Sequence, residues 1–233
     1  YITMTCQVLK KSGIQIEERG PREYTIKGNQ KFKGLKNFKV PSDFGLAAFH
    51  LAAGVLTDSD IQLTGSFNNH LIQADGHIFP ILKRMGVPLR ITSSGIRIRG
   101  PYALKGGSFS LKNCPDLVPI VSVLALFASG KTRLYGISHV RLKESDRISD
   151  LRKELVKVGA KIVENKGAIT IYPRDKYKMN CMLNPHNDHR LAMAFCVLGL
   201  KIGVSVKDIE CTRKSYPDFV RDFKKIGAAA SYR

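Results

Sequence analysis

The chain has no tryptophan, and only 19 Asp and Glu stand against 38 Lys and Arg, leaving a formal net charge of +19. The acidic shortfall makes the surface a poor collector of cations. It favours anions, whether nucleic acid, an acidic membrane or small phosphorylated and carboxylated substrates. The missing tryptophan takes away the largest base-stacking side chain, which argues against a nucleic-acid partner. Cysteine is sparse and unpatterned: Cys6, Cys114, Cys181, Cys196 and Cys211 are odd in number, widely scattered and show no Cys-x-x-Cys spacing. That excludes a disulfide framework and points to reduced thiols. His186, Asp188 and His189, with Cys181 nearby, lack a regular ligand spacing, so no metal is expected there. The longest apolar runs, 118–128 and 191–200, fall well short of the roughly 20 residues that cross a bilayer, and no secretory leader precedes them. A cytoplasmic protein with no membrane partner is expected, and at 43% hydrophobic residues the chain is rich enough to build a core.

What is present is a repeat. An Asp opens an apolar stretch, a strand-like segment follows, and a basic amphipathic stretch closes on a Lys and then a Gly. Asp43 leads in this way to Gly86, Asp116 to Gly159 and Asp188 to Gly227, with a further ending at Gly13. The closing glycines Gly13, Gly86, Gly159 and Gly227 are nearly evenly spaced, so one supersecondary unit has been copied along the chain. The copy that ends at Gly13 lacks its beginning, and Tyr1 is not a Met. The chain is therefore expected to be a piece of a longer protein, whose other half carries part of any site.

The spacing predicts a helix over 44–55 behind a Ser42-Asp43 cap, a strand over 61–64, a helix over 78–85, and a hairpin of 87–92 and 95–99 across Ser93-Ser94. The next copy reads as a strand at 108–111, a helix from Asp116, a strand over 132–135, a helix over 148–158, and strands over 161–164 and 168–172. Such a βαβαββ unit, repeated about a pseudo-threefold, puts helices inside and sheets outside. Pro41, behind a polar stretch, marks a boundary between residues 1–40 and 41–233.

Features shared by all copies read as structure, and departures in one copy as chemistry. Asp43, Asp116 and Asp188 each stand at a helix start, where a carboxylate caps orphan N–H groups, so capping is the first reading for all three. At matching distances before the closing glycine stand Gln73, Asp146 and Lys214, in the segments 71–74, 144–147 and 212–215. The last two segments are charged and the first is nearly neutral. With Asn187-Asp188-His189-Arg190 added, Lys143, Arg147, Arg190 and Lys214 form a candidate anion cluster around Glu144, a candidate acid/base. The same residues would equally make an ordinary surface network of ion pairs.

These segments resemble a known family. Arg141-Leu-Lys-Glu-Ser-Asp-Arg147, Asn187-Asp-His-Arg-Leu-Ala-Met193 and Lys214-Ser-Tyr-Pro-Asp-Phe219 are similar, in order and interval, to motifs of the 5-enolpyruvylshikimate-3-phosphate synthases, as is Pro115-Asp116 ahead of its apolar helix. The resemblance implies an inside-out α/β barrel of βαβαββ units, with 41–233 as the family's second domain and 1–40 as the end of its first. It implies transfer of the enolpyruvyl group of phosphoenolpyruvate to shikimate 3-phosphate, without metal or organic cofactor. By motif, Asp116 is the base toward the shikimate 5-hydroxyl and Glu144 serves the methylene carbon. Arg147, Arg190 and Lys214 would hold phosphoenolpyruvate, while Lys143 and Tyr1 would contact shikimate phosphate. His139 stands where many members carry an Asn, which puts that contact in question. The resemblance also implies a missing N-terminal half as partner. A UDP-N-acetylglucosamine enolpyruvyl transferase would lack these motifs; an RNA-binding or RNA 3′-phosphate-processing protein of related repeat fold is the alternative.

Overall fold

The computed structural model describes residues 1–67, 71–92 and 95–231. Helix α1 (Ile2–Lys11) leads into an antiparallel hairpin of β1 (Ile16–Glu18) and β2 (Tyr24–Ile26). The first copy follows as α2 (Phe44–Leu56), β3 (Ser59–Leu63), α3 (Ile78–Arg84), β4 (Ile91–Thr92) and β5 (Gly95–Gly100), with β5 antiparallel to both β3 and β4. After β6 (Leu104–Lys105) comes the second: β7 (Ser108–Ser110), α4 (Val118–Leu126), β8 (Ala128–Ser129), β9 (Thr132–Tyr135), α5 (Arg147–Lys157), β10 (Lys161–Asn165) and β11 (Ala168–Tyr172). Its sheet runs β10-β11-β9-β7, with β7 parallel to β9 and the other pairs antiparallel. The third copy is β12 (Cys181–Leu183), α6 (His189–Ile202), β13 (Val204–Val206) and α7 (Phe219–Lys225), with β12 and β13 parallel. Parallel β6 and β8 stitch the first copy to the second.

The layers follow from the residues. Helices α2, α4 and α6 pack on one another, and every residue of α4 is buried. Their sequences are apolar nearly all round because little of them meets water, α6 opening to solvent toward its end at Lys201. Helix α5 is of the other kind: Ile148, Leu151 and Leu155 are buried while Lys153 and Lys157 reach out. Each fully buried Leu or Ile of this core contributes about 1.5–3 kcal/mol relative to an exposed one.

The repeated glycines have a common cause. Gly13, Gly86, Gly159 and Gly227 have φ of 90°, 95°, 89° and 99°, a region that penalises any side chain. At Gly86 the amide bonds to Lys83 O and that of Val87 to Leu82 O; at Gly159 the pair runs to Val156 O and Leu155 O. Gly13 and Gly227 close their helices in the same way. This double bond back onto the last turn satisfies carbonyls that the helix leaves open. It also corrects one expectation: with Val87 N given to Leu82 and Leu89 N to Val87 O, the strand expected over 87–92 is left with only Ile91 and Thr92. The expected turn at Ser93-Ser94 lies outside the described residues.

Candidate active site

The three helix-start carboxylates part company in the structure. Asp43 caps α2, accepting from Leu46 N at 2.9 Å, and Asp188 caps α6, accepting from Arg190 N at 2.9 Å and Leu191 N at 3.4 Å. Asp116 caps nothing. Pro115–Leu117 form a short 3-10 turn, and α4 begins only at Val118, so the carboxylate stands too early to reach the helix amides. The capping expectation is thus corrected at this position, because the proline-led turn shifts the helix start forward.

Freed from the helix, Asp116 gathers cations. Its Oδ1 accepts from Arg147 Nη1 at 2.6 Å and lies 3.6 Å from Lys143 Nζ; its Oδ2 pairs with Arg190 Nη2 at 3.1 Å and accepts the Tyr1 hydroxyl at 2.9 Å. Burial by itself would raise this carboxyl; Arg190, then Arg147 and Lys143, reverse that and bring it down to about 2. Burial lifts the Tyr1 hydroxyl well above the usual phenol range, and Asp75 and Asp116 add to the effect, so it stays a donor.

Glu144 forms the second centre. Its carboxylate accepts from Arg147 Nη2 at 2.9 Å and from Lys214 Nζ at 3.0 Å, while His189 Nδ1 lies 4.0 Å away. Burial opposes its charge, but Lys214 and Arg147 outweigh it and set the group at about 2. Burial and then Arg190 hold the His189 imidazole below its ordinary range, so it is neutral at about pH 7. Arg147 joins the two centres. It is 1% exposed, and its Nε donates to the fully buried Asp188 at 2.7 Å, so one guanidinium serves three carboxylates. A buried cation is tolerable only with such partners.

Of the residues expected from sequence, Asp116, Glu144, Tyr1, Lys143, Arg147, Arg190 and Lys214 come together through these contacts. Arg147 and Lys214 meet on one carboxylate although they lie in different copies, as equivalent loops of a threefold repeat should. His139 does not join them. It is exposed in the turn Ser138–Leu142 and makes no hydrogen bond or ion pair among the described residues. The sequence reading missed Asp75, which is 8% exposed in the turn Ala74–His77 and sits among Arg190, Asp116, Asp43 and Lys143. The neutral segment 71–74 ended one residue too soon to include it. Nor do Cys181, His186, Asp188 and His189 converge: His186 turns to Glu154 at 3.1 Å and Asp188 to Arg147.

The family model for EPSP synthase (3-phosphoshikimate 1-carboxyvinyltransferase) matches residues 1–223. The chain belongs to this family. Among curated relatives, the 3-phosphoshikimate 1-carboxyvinyltransferase of Methanococcus aeolicus is 40% identical across 98% of the chain and 53% of its own length. That of Nitrosopumilus maritimus is 37% identical across 98% of the chain and 54% of its own length. The chain therefore spans about half of these proteins. An EPSP synthase structure from Acinetobacter baumannii superposes with a TM-score of 0.78 at 28% identity, covering 96% of this chain and 54% of that one. The enolpyruvyl transferase NikO from Streptomyces tendae, at 20% identity and a TM-score of 0.71, shares the fold. The repeat architecture is thus the enolpyruvyl transferase fold, and no described helix is long and apolar enough to cross a membrane.

Proposed function

We propose that the whole protein transfers the enolpyruvyl group of phosphoenolpyruvate to the 5-hydroxyl of shikimate 3-phosphate, releasing phosphate, in the cytoplasmic synthesis of aromatic amino acids. Residues 41–233 supply its second domain and 1–40 the end of its first; the other half of the relatives' length supplies the facing wall of the site. This chain alone is not expected to turn over.

The observation that carries the reading is Asp116, a buried carboxylate that caps no helix and instead stands at the meeting of Arg147, Arg190, Lys143 and Tyr1, with Glu144 on the same guanidinium. Addition and elimination at an enol ether need a proton delivered to carbon, a proton taken from a hydroxyl and an anionic leaving group held in place. Phosphoenolpyruvate draws Lys214, Arg147 and Arg190 toward its carboxylate and phosphate. Asp116 and Glu144 then lose the charges that keep them acidic and become stronger bases at the moment of need. Asp116 takes the proton of the attacking hydroxyl, Glu144 exchanges protons with the methylene carbon, and Lys143 with Tyr1 steadies the shikimate phosphate. Lys is suited to that last task as a compact charge on a flexible stem.

Calorimetric titration of shikimate 3-phosphate with phosphoenolpyruvate into the full-length protein tests this, together with an assay of phosphate release. Ternary binding and release that depends on both substrates are expected. Binding of neither substrate would overturn the reading.

A further inference from the structure

Three buried polar atoms of the cluster have no hydrogen-bond partner among the described residues: His189 Nδ1 beside Glu144 and, at the other edge, the adjacent pair Asp75 Oδ1 and Arg190 Nη1. Leaving such atoms unpaired is costly, most of all for charged groups, so the pair calls for an explanation. The two side chains are neighbours over the backbone of Gly45. A methyl group built there would lie 2.5 Å from Asp75 Oδ2 and 3.1 Å from Arg190 Nη1, so the missing side chain at Gly45 is what admits them both. Yet they form no ion pair. Arg190 gives its other nitrogen, Nη2, to Asp116.

The charges on every side explain this. Facing Asp75 are Arg190 from α6, Asp116 and Cys114 from the turn before α4, Asp43 from the cap of α2, Lys143 from the loop before α5, and Tyr1 ahead of α1. In the wider cluster Lys143, Arg147, Arg190 and Lys214 are already matched by Asp116, Glu144 and Asp188. With Asp43 counted, an ionised Asp75 makes five carboxylates against four cations before any substrate arrives. A bound polyanion then leaves the site with an excess of negative charge in a poorly solvated place, which one carboxylate must relieve by taking a proton. In the free site Asp116 and Glu144 start from about 2, held there by direct ion pairs, and have far to rise before either takes a proton at about pH 7. Asp75 has no such pair, and burial, with Asp116 and Asp43 beside it, has pushed it up to about 6 against the pull of Arg190 and Lys143.

We propose that Asp75 is a further residue of the site, whose unpaired Oδ1 takes a proton from solvent when an anion settles on Arg190, so that anion binding and proton uptake are one event. The inference deepens the proposed function and rests on it for the identity of the natural anion, but the coupling holds for any anion at Arg190. Affinity then weakens as pH rises above the free-site value, because the proton becomes harder to acquire.

The test is calorimetry on the full-length protein at about pH 7, in two buffers of different protonation enthalpy, which reads the protons bound per anion. Sulfate is one probe, since it does not titrate in this range, and phosphoenolpyruvate is the other. Wild type is expected to take up about 0.4 of a proton or more per sulfate, and Asp75→Asn none. With phosphoenolpyruvate the wild type should exceed the variant by the same amount, its own phosphate contributing equally to both. Carboxyl-carbon NMR of wild type checks this without a variant: the Asp75 midpoint should rise by about one pH unit or more when sulfate is added. Equal uptake in Asp75→Asn, or an Asp75 resonance that sulfate does not move, would overturn the inference. If sulfate draws the proton but phosphoenolpyruvate does not bind, the enzyme reading falls and this one stands. Phosphoenolpyruvate binding with no proton on Asp75 does the reverse.

Discussion

Asp43 and Asp116 occupy equivalent places in successive copies of one unit, each just ahead of an inner apolar helix. At Asp43 the helix begins with the next residue, and the carboxylate is consumed by Leu46 N. At Asp116 a proline-led turn intervenes, α4 starts two residues later, and the carboxylate faces three cations and a phenol. A delay of one residue, little more than a quarter of a turn, thus separates a structural carboxylate from one available for chemistry. In a duplicated scaffold a new function needs little invention, only the release of a group that the parent unit kept occupied. Asp188 lies between the two: it caps α6 and also receives Arg147.

That comparison can be pressed with substitutions, the largest effect coming from the residue that ties the carboxylates together. Arg147→Ala strands Asp116, Glu144 and the fully buried Asp188 without their common cation. The full-length protein should lose about 3–5 kcal/mol in urea unfolding. Arg147→Lys should recover only part of this, since a point charge cannot serve three directions at once. Next comes Asp116→Asn, expected to cut turnover by about two orders of magnitude or more at temperatures where the variant remains folded, and to lower the melting temperature because Arg147 and Arg190 lose a charged partner. Asp43→Asn, assayed beside it, should keep turnover within about twofold, because an amide oxygen still caps. Similar activity losses in both would break the distinction drawn here.

Capping itself predicts a smaller change. Asp43→Ala should cost about 1 kcal/mol of stability, and Asp116→Ala should show no capping loss in the same unfolding assay. Acid titration sharpens the contrast further. Asp116 and Glu144 have folded-state values near 2, below their unfolded ones. Their stabilisation is complete above the unfolded values, at about pH 4–5, and is lost as pH falls toward about 2. Stability measured across that window should fall less steeply in Asp116→Asn than in wild type. Of similar size, Tyr1→Phe removes one hydrogen bond to Asp116 and should change stability by about 0.5–1.5 kcal/mol.

Much of this was readable before the structure. The closing glycines announced the repeat because a positive φ demands them whatever else surrounds them, and the apolar stretches announced buried helices because burial on all sides leaves no polar face. Arg147, Glu144 and Lys214 were found by comparing copies, and motif resemblance supplied Asp116. What failed had physical reasons too. Helix-start position does not reveal whether a 3-10 turn will delay the helix, so Asp116 was misread as a cap. Asp75 gave no signal, since its neighbours in sequence are neutral and its importance comes from Arg190, Asp43 and Asp116, all distant along the chain. His139, drawn in by the family position it occupies, is exposed in a turn and stands apart from the cluster.

The inner helices α2, α4 and α6 are oily on every side, and such rods have no intrinsic preference for how far one slides past another or which way each is rotated. The ion pairs at their leading ends supply what the grease cannot. Arg147 holds the start of α6 through Asp188 and the turn before α4 through Asp116, and Arg190 ties that same turn back to α6. The charges therefore act as registration pins between α4 and α6, fixing their axial alignment at the end where an alignment error of an ångström would cost the most.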